Sequence, residues 1–182
     1  DDLDPLQGEQ YRRRMRVFQG VQIARNDRDK RNYADAIEQL ESLTDNAFGK
    51  QLSYIRREIL DLKKRKLSKD QEQYVQVLST TEPNTSLHRS TLTQLIDIRN
   101  QVRTMTERAE GLTRVDYLAW QIDLLMTIAQ HSTEERAQRT AFNDANNIGV
   151  ELQTWLDIES RDSGHYSPEE IKLMDDARAR LQ

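Results

Sequence analysis

Apolar residues recur along this chain every three or four positions, which is the spacing of one face of an α-helix. The first stripe consists of Tyr11, Met15 and Phe18. Steps of three and four residues join it nearly in phase to a second stripe, and neither Pro nor Gly interrupts residues 26–32. The pattern predicts one long helix or two collinear helices, with these stripes as their apolar face. The second stripe contains Tyr33, Ala36, Ile37, Leu40 and Leu43.

The next apolar residues alternate strictly by four and three over two heptads, which suits packing against a near-parallel helix. We expect this second helix to end near Lys66. Ser68, with Gln71 three residues later, is typical of a capping box and predicts a new short helix. That helix should stop before Pro83, with a loop over residues 82–85. The heptad positions are Phe48, Leu52, Ile55, Ile59 and Leu62.

Four further helices are predicted from the residues at their ends. The first stops at Gly111, because glycine readily adopts the left-handed conformation that ends many helices. A loop over residues 161–164 precedes the last helix. The other three helices begin at capping positions: Thr113, Ser132 with Glu135, and Ser167 with Pro168 and Glu170.

The sequence therefore predicts an all-α fold of seven or eight helices, several of them long. Short connections make neighbouring helices antiparallel, as in a helical bundle or in a short stack of helix pairs, and the pattern leaves both open. A length of 182 residues fits a single domain over residues 1–182. The predicted core contains Ile55, Ile59, Leu95, Ile98, Leu118, Ile122 and Leu152.

The helix predicted over residues 113–130 is apolar on two sides. One stripe includes Leu118 and Ile122, and a second stripe lies nearly opposite. A helix that is apolar nearly all round is buried on two sides, which would make it the central helix of the domain. Alternatively, the second stripe binds a partner or a second subunit, since Trp and Tyr are common interface anchors. Its residues are the candidate binding residues: Tyr117, Trp120, Leu124 and Ile128.

Composition agrees with helices and excludes several classes of site. Gly (6) and Pro (3) are scarce, whereas β folds need turn residues every ~8 to 12 positions. The chain has no cysteine, which excludes disulfides, thiolate metal sites and a cysteine nucleophile. No stretch approaches the roughly 18 apolar residues of a membrane span, and the start, Asp1 to Asp4, lacks a signal region, so we expect a soluble chain.

The sequence contains no motif typical of an enzyme or of a metal or nucleotide site. Metal-binding helices carry pairs such as His-Glu-x-x-His or Glu-x-x-His, and neither occurs. His88, His131 and His165 are dispersed near predicted helix ends or loops, where we expect them to be solvated. There is no glycine-rich phosphate loop and no nucleophile elbow. We predict a non-enzymatic protein without cofactor or metal.

Two basic clusters raise the question of nucleic-acid binding. The first winds around a helix rather than lining one side. The second falls in the predicted last turn of a helix, where cations interact favourably with the helix dipole. Together with a net charge of −4, this disfavours nucleic acid as a partner. The clusters are Arg12, Arg13, Arg14 and Arg16, and Lys63, Lys64, Arg65 and Lys66.

A polar patch interrupts the long helix that follows Ser132. Its residues are poor helix formers. We expect a solvated face or a local kink, and the alternative is a polar pocket for a small ligand. The patch consists of Asn143, Asp144, Asn146 and Asn147.

These observations favour an α-helical module that binds another protein, or a second copy of itself, through an apolar helix face. The alternative is the ligand-sensing helical domain of a membrane receptor. In that case the membrane would be contacted only by segments outside this chain. Hydrophobic spans of about 20 residues just before residue 1 and just after residue 182 of the full-length gene would favour the sensor.

Overall fold

The computed structural model describes residues 5–161 and 165–181, with side chains from residue 8 onward. Within these residues the chain forms seven α-helices, one short 3-10 turn at Thr44–Asn46 and no strand, which confirms the predicted all-α fold. Residues 1–4 and most of the loop predicted over residues 161–164 lie outside the described part. The helices are α1 (Pro5–Asp29), α2 (Tyr33–Leu43), α3 (Lys50–Thr80), α4 (Ser86–Glu107), α5 (Gly111–His131), α6 (Glu135–Arg161) and α7 (Pro168–Ala179).

The chain divides into two compact units, Asp1–Asp70 and Gln71–Gln182, called unit 1 and unit 2 below. The boundary falls within α3, so this helix contributes its first part to unit 1 and its last part to unit 2. The single domain over residues 1–182 stays a prediction. Each unit has its own cluster of buried apolar side chains.

In unit 1, α2 folds back against α1 instead of continuing it, so the prediction of one long or two collinear helices is wrong. The break falls at residues 30–32, where Arg31 has a φ of +60°. The fold-back lets the apolar faces of both helices bury each other, which a collinear arrangement does not allow. The buried core of unit 1 consists of Val17, Val21, Ala24, Ala36, Ile37, Leu40, Ala47, Ile55, Ile59 and Leu62.

The stripe of large apolar residues predicted as the apolar face of α1 is not its buried face. α1 instead buries the small residues Val17, Gly20, Val21 and Ala24. Small residues allow the two helices to approach closely, and a Cβ placed on Gly20 would lie only 2.7 Å from Leu43 Cδ1. The large side chains of Tyr11, Met15 and Phe18 therefore remain exposed.

α3 is one continuous helix of 31 residues, and the predicted break near Lys66 is wrong. Leu67 is buried, and Lys66 Nζ lies 2.8 Å from Asp70 Oδ2 across the expected break. Without Pro or Gly nearby, Ser68 stays inside the helix instead of capping a new one. Phe48 precedes the helix and is exposed. The loop predicted over residues 82–85 is confirmed.

In unit 2, α5 packs against α4, α6 and α7 and is the central helix. All seven residues predicted to form the core, in either unit, are buried. From α4, the buried side chains are His88, Thr91, Leu95, Ile98, Val102 and Thr106. The cluster of α5, α6 and α7 contains Val115, Leu118, Ala119, Ile122, Leu152, Leu156, Met174 and Ala177.

The capping box predicted at Ser167 is confirmed. The Glu170 backbone N–H donates to Ser167 Oγ at 3.3 Å, the Ser167 N–H donates to Glu170 Oε2 at 2.7 Å, and Pro168 begins α7. The capping box predicted at Ser132 is wrong, because this hydroxyl donates to the Ile128 carbonyl at the end of α5. Short hydroxyl side chains bond to whichever backbone group lies nearest, so such spacings also occur without a cap.

The boundary between α4 and α5 differs from the prediction by a few residues. α4 ends at Glu107, before the expected stop. Gly111 has the left-handed φ of +56° expected of a stop, but it begins α5. Glu110 occupies the N-cap position of α5, so Thr113 lies in the first turn. Among the described residues, no helix is both long and apolar enough to cross a membrane.

Candidate functional site

The α5 face predicted to bind a partner lies inside unit 2. Leu124 is 0% exposed, Tyr117 and Ile128 are each 6% exposed, and Trp120 is half-buried. Trp120 Nε1 donates a hydrogen bond to Gln71 Oε1, and the Trp120 ring centroid lies 6.4 Å from that of Tyr117. This burial agrees with the other interpretation, that α5 is a central helix. Binding at this face stays a prediction, and it requires that the helices covering it move.

The large apolar residues of α1 form an exposed surface that we call the α1 stripe, defined by Tyr11, Met15 and Phe18. Tyr11 is 64% exposed and Phe18 is 57% exposed. The three residues follow each other at i, i+4 and i+7, so they lie on one side of the helix. That side is nearly opposite the face that packs against α2. A contiguous exposed group of this kind marks an interaction surface more often than single exposed apolar residues do.

Arginines border the α1 stripe on both sides. Arg12 and Arg16 each follow a stripe residue by one position, which places them about 100° further round the helix. Arg14 precedes Met15 by one position and lies on the other side. All three are exposed. The arrangement gives the stripe a positive border.

An open cleft of about 760 Å³ lies beside α1 and is lined by Arg14 of the stripe's border, although by none of the three stripe residues. α1 forms one wall, and the residues leading into α3 form the other. Arg13, Arg14 and Lys50 line the cleft together with Glu9, which pairs with Arg13 at 2.8 Å. Phe48, also at the cleft, is exposed. The cleft thus shares Arg14 with the positive border of the α1 stripe.

The second basic cluster has a structural role that differs from the prediction. It does not lie in the last turn of a helix, because α3 continues to Thr80. Three members form ion pairs within unit 1: Lys63 with Glu41, Arg65 with Asp61, and Lys66 with Asp70.

A smaller and equally open depression of about 320 Å³, called the polar cavity below, lies among α4, α5 and α6 in unit 2. Its charged residues are three arginines and three carboxylates: Arg99, Arg103, Arg114, Glu107, Asp144 and Glu151. Asp144 and Asn147 of the predicted polar patch line it, while Asn143, Asn146 and Asn147 are all exposed on α6. A solvated face therefore fits the three asparagines, and a small-ligand pocket beside Asp144 stays a prediction. α6 continues through the patch as one helix.

Two of the arginines in the polar cavity are bonded differently. Arg114 donates from both Nε and Nη2 to Glu151 Oε1, at 3.2 and 2.6 Å, and its guanidinium lies 5.1 Å from the centre of the Trp155 ring. Arg99 Nη2 lies 3.3 Å from Asp144 Oδ2. Arg99 Nε is buried and has no hydrogen-bond acceptor among the described residues. One guanidinium edge in the cavity is therefore only half satisfied.

A buried amide lies in the wall of the polar cavity. Gln121 is 2% exposed, and its Nε2 donates to Thr106 Oγ1 at 2.7 Å. The Thr106 hydroxyl donates in turn to the Val102 carbonyl. Sequence reasoning missed Arg99, Arg103, Arg114 and Gln121, although the polar Thr106 and Gln121 within apolar stretches of α4 and α5 are a signal of a polar wall.

The histidines are only partly as predicted. His88 is buried, which contradicts the expected solvation, and its ring centroid lies 6.5 Å from that of His131. Burial, and then the nearby His88, hold the pKa of His131 below its ordinary value. His165 is exposed as expected. Within the described part of the chain, no three His, Asp or Glu side chains are grouped in a way that would bind a metal ion.

Comparison with known proteins does not assign the chain to a family. No family model matches the sequence, and no curated protein is significantly similar to it. Functional inference therefore rests on the α1 stripe and the polar cavity.

Proposed function

We propose that this chain is a non-enzymatic interaction module that binds a partner protein through the α1 stripe. The observation that carries the proposal is the exposure of Tyr11 and Phe18 on the side of α1 that faces away from α2. Large aromatic side chains are frequent anchors of protein interfaces. The α5 face is covered by its neighbours, so the α1 stripe is the better-supported docking face.

The spacing of the stripe favours a helix or a groove as the complementary surface. Anchors at i, i+4 and i+7 are typical of an amphipathic helix that lays one face into an apolar groove. The stripe is narrow, with three large residues and arginines close on both sides. A narrow anchor row of this kind fits a protein groove or a partner helix better than the broad apolar face with which a helix enters a lipid surface.

The charges at the border indicate the chemistry of the partner. The border of the stripe is positively charged, so a complementary partner carries carboxylates around its apolar residues. The positive residues are Arg12, Arg14 and Arg16, with Lys50 in the cleft beside α1. A second copy that paired through the same stripe would bring these arginines against their own equivalents, which is unfavourable. We therefore propose an acidic amphipathic helix of a different protein as the occupant.

In this mechanism the two parts of the surface have separate roles. Tyr11 and Phe18 enter the apolar surface of the partner and provide most of the binding free energy. The arginines attract the partner and set its register, chiefly by raising the association rate. Binding should weaken as salt increases, because exposed charges are screened.

The test uses two synthetic helical peptides with the same leucine stripe, one flanked by glutamates and one by lysines. We expect the wild-type chain to bind the glutamate-flanked peptide more tightly. Tyr11→Ala/Phe18→Ala should weaken that binding by about 2 kcal/mol or more, roughly thirtyfold in Kd. Fluorescence anisotropy measures the Kd, and circular dichroism should show an unchanged helical spectrum, because both side chains are exposed.

Leu60→Ala is the matched control, because Leu60 is a large exposed apolar residue of unit 1 outside the α1 stripe. It should leave the Kd unchanged. Equal binding by the wild type and the double variant would contradict the proposal, as would a preference for lysine flanks. Binding to anionic phospholipid vesicles instead of the peptide would identify a membrane as the occupant of the stripe. A wild-type dimer that dissociates in the double variant would identify a second copy of the chain.

The second candidate is the ligand-sensing domain of a membrane receptor. The observation that favours it is the polar cavity between α4, α5 and α6, with its half-satisfied Arg99. The full-length gene tests whether this chain belongs to a membrane receptor. A receptor requires hydrophobic spans of about 20 residues on both sides of the segment that encodes this chain. A full-length sequence without such spans would exclude the membrane-receptor hypothesis, and the polar cavity would then need another role.

A further inference from the structure

We propose that the polar cavity of unit 2 binds a small carboxylate that also carries a hydrogen-bond donor, and that Arg99 holds the carboxylate group. The site is independent of the α1 stripe. It deepens the sensor candidate, because it names the class of ligand that such a domain would bind. A protein with this site needs no membrane segment to use it.

The guanidinium edge of Arg99 is incompletely hydrogen-bonded. Nε and Nη2 of arginine form one edge that matches the two oxygens of a carboxylate. In Arg99, Nη2 has Asp144 Oδ2 at 3.3 Å, while Nε is buried without an acceptor among the described residues. A buried donor without an acceptor is costly, more so on a charged group. A ligand oxygen beside Nε would satisfy it.

Arg114 shows what a purely structural arginine looks like in the same cavity. Its Nε and Nη2 both donate to Glu151 Oε1, and its guanidinium faces the Trp155 ring. That edge is fully used by the protein itself. The difference between the two arginines makes Arg99, and not Arg114, the one with an unused donor, and because Arg99 Nε is itself buried, a ligand oxygen reaches it only when the Arg99 side chain shifts.

The charge of the cavity selects the ligand class. Three arginines face three carboxylates, so the lining has no excess of positive charge. A doubly charged phosphate would gain contacts with Arg99 and Arg103 but would also face Asp144, Glu151 and Glu107. A singly charged carboxylate meets less repulsion, and a hydroxyl or ammonium group on the same molecule can donate to Glu151.

The volume limits the ligand to a small molecule. About 320 Å³ corresponds to on the order of ten water molecules. It lies at the lower end of the volumes of known ligand pockets. The wall presents more apolar than polar surface, including that of Leu118 and Ile148, so the ligand should be short and should carry an apolar part beside its polar groups.

The test follows the Arg99 Nε–Hε resonance in ¹H–¹⁵N spectra of the full chain during titration with sodium glycolate at constant ionic strength. The resonance is assigned by its loss in Arg99→Lys. We expect it to move saturably with glycolate, less with acetate, which lacks the donor, and least with inorganic phosphate. The Nε–Hε signal of Arg89, an exposed arginine of α4, is the internal control and should not move.

Two variants separate binding from structure. Arg99→Lys keeps the charge but loses the planar edge, and it should raise the Kd for glycolate by about tenfold or more. Asp144→Asn removes a competing anion next to Arg99 and should lower the Kd. The amide resonances of residues lining the cavity report binding in both variants.

Each contrary result has a definite meaning. No saturable shift at Arg99 with glycolate would overturn the site, and tighter binding of phosphate would overturn the ligand class. If circular dichroism shows that Arg99→Lys is unfolded, the Asp144→Asn variant takes its place as the test. A Kd of Asp144→Asn for glycolate that is not lower than that of the wild type then overturns the proposal. None of these results bears on peptide binding at the α1 stripe.

Discussion

At the scale of single residues, His131 makes unit 2 sensitive to proton binding. His88 lies in the first turn of α4 and His131 is the last residue of α5, two helices that pack together. Their ring centroids are 6.5 Å apart. A positive charge on the His131 ring is unfavourable, because burial removes water from the ring and the His88 ring lies nearby.

We predict that the free energy of unfolding falls as the pH is lowered through 6.5, the ordinary pKa of the His131 side chain. The folded-state pKa of His131 lies below this value, so the unfolded chain binds the proton first. The stabilisation is complete above the ordinary pKa and is lost towards the folded-state pKa. Urea unfolding between about pH 8 and pH 5 measures it.

His131→Gln should flatten this pH dependence. His165→Gln is the control, because His165 is exposed, and it should behave as the wild type. The carboxyl of Glu170, whose pKa is lowered by its bonds to Ser167, contributes only as the pH falls below its ordinary value of 4.5. A wild-type profile that is flat between pH 8 and pH 5 would show that the His131 environment does not oppose protonation.

The polar cavity shows how far single residues can be predicted. The sequence singles out Asp144 and Asn147, because Asp and Asn have low helix propensity and are uncommon inside a long helix. Arg99 and Arg114 give no such signal, since charged residues on helices are usually solvated. Their role depends on how α4, α5 and α6 pack against each other, and residue spacing within one helix does not contain that information.

At the scale of elements, helix interiors were easier to predict than helix ends. Apolar spacing identified the buried positions of α3, α4, α5 and α6, because it follows directly from the helical repeat. The capping signature at Ser167 is real, whereas those at Ser68 and Ser132 are not. Pro168 is favoured in the first turn of a helix and so supports a start at Ser167, and no proline stands near Ser68.

The two serines should respond in opposite ways to replacement by alanine. Ser167→Ala removes the N-cap of α7 and should cost about 1 kcal/mol of stability. Ser68→Ala lies inside α3 and should stabilise by roughly 0.5 kcal/mol, since alanine is the better helix former. Urea unfolding monitored by far-ultraviolet circular dichroism gives both values. A loss of about 1 kcal/mol in Ser68→Ala would mean that α3 is broken there after all.

α1 shows why an apolar stripe does not by itself identify a buried face. The helix has two candidate faces, one of large residues around Tyr11 and one of small residues around Gly20. The small residues occupy the packing face because they let α2 approach closely, and a Cβ placed on Gly20 would lie only 2.7 Å from Leu43 Cδ1. The choice depends on the partner helix, and the sequence of α1 alone favours the larger residues.

At the scale of the whole molecule, the helical class follows from composition and spacing, but the division into two units does not. The boundary falls inside a continuous helix, where no loop or change in composition marks it. The same limit applies to function: α5 and α1 both carry apolar faces with aromatic residues. Only the packing distinguishes the covered face of α5 from the open face of α1.

Hydrogen–deuterium exchange of the full chain, with and without the glutamate-flanked peptide, tests this distinction most directly. We expect the peptide to slow exchange in fragments that cover Tyr11 to Phe18 and to leave those that cover Tyr117 to Ile128 unchanged. The α5 fragments should already exchange slowly in the free protein, because this helix is buried within unit 2. Protection that appears at Tyr117 to Ile128 instead, or no change in α1 at saturating peptide, would contradict the account.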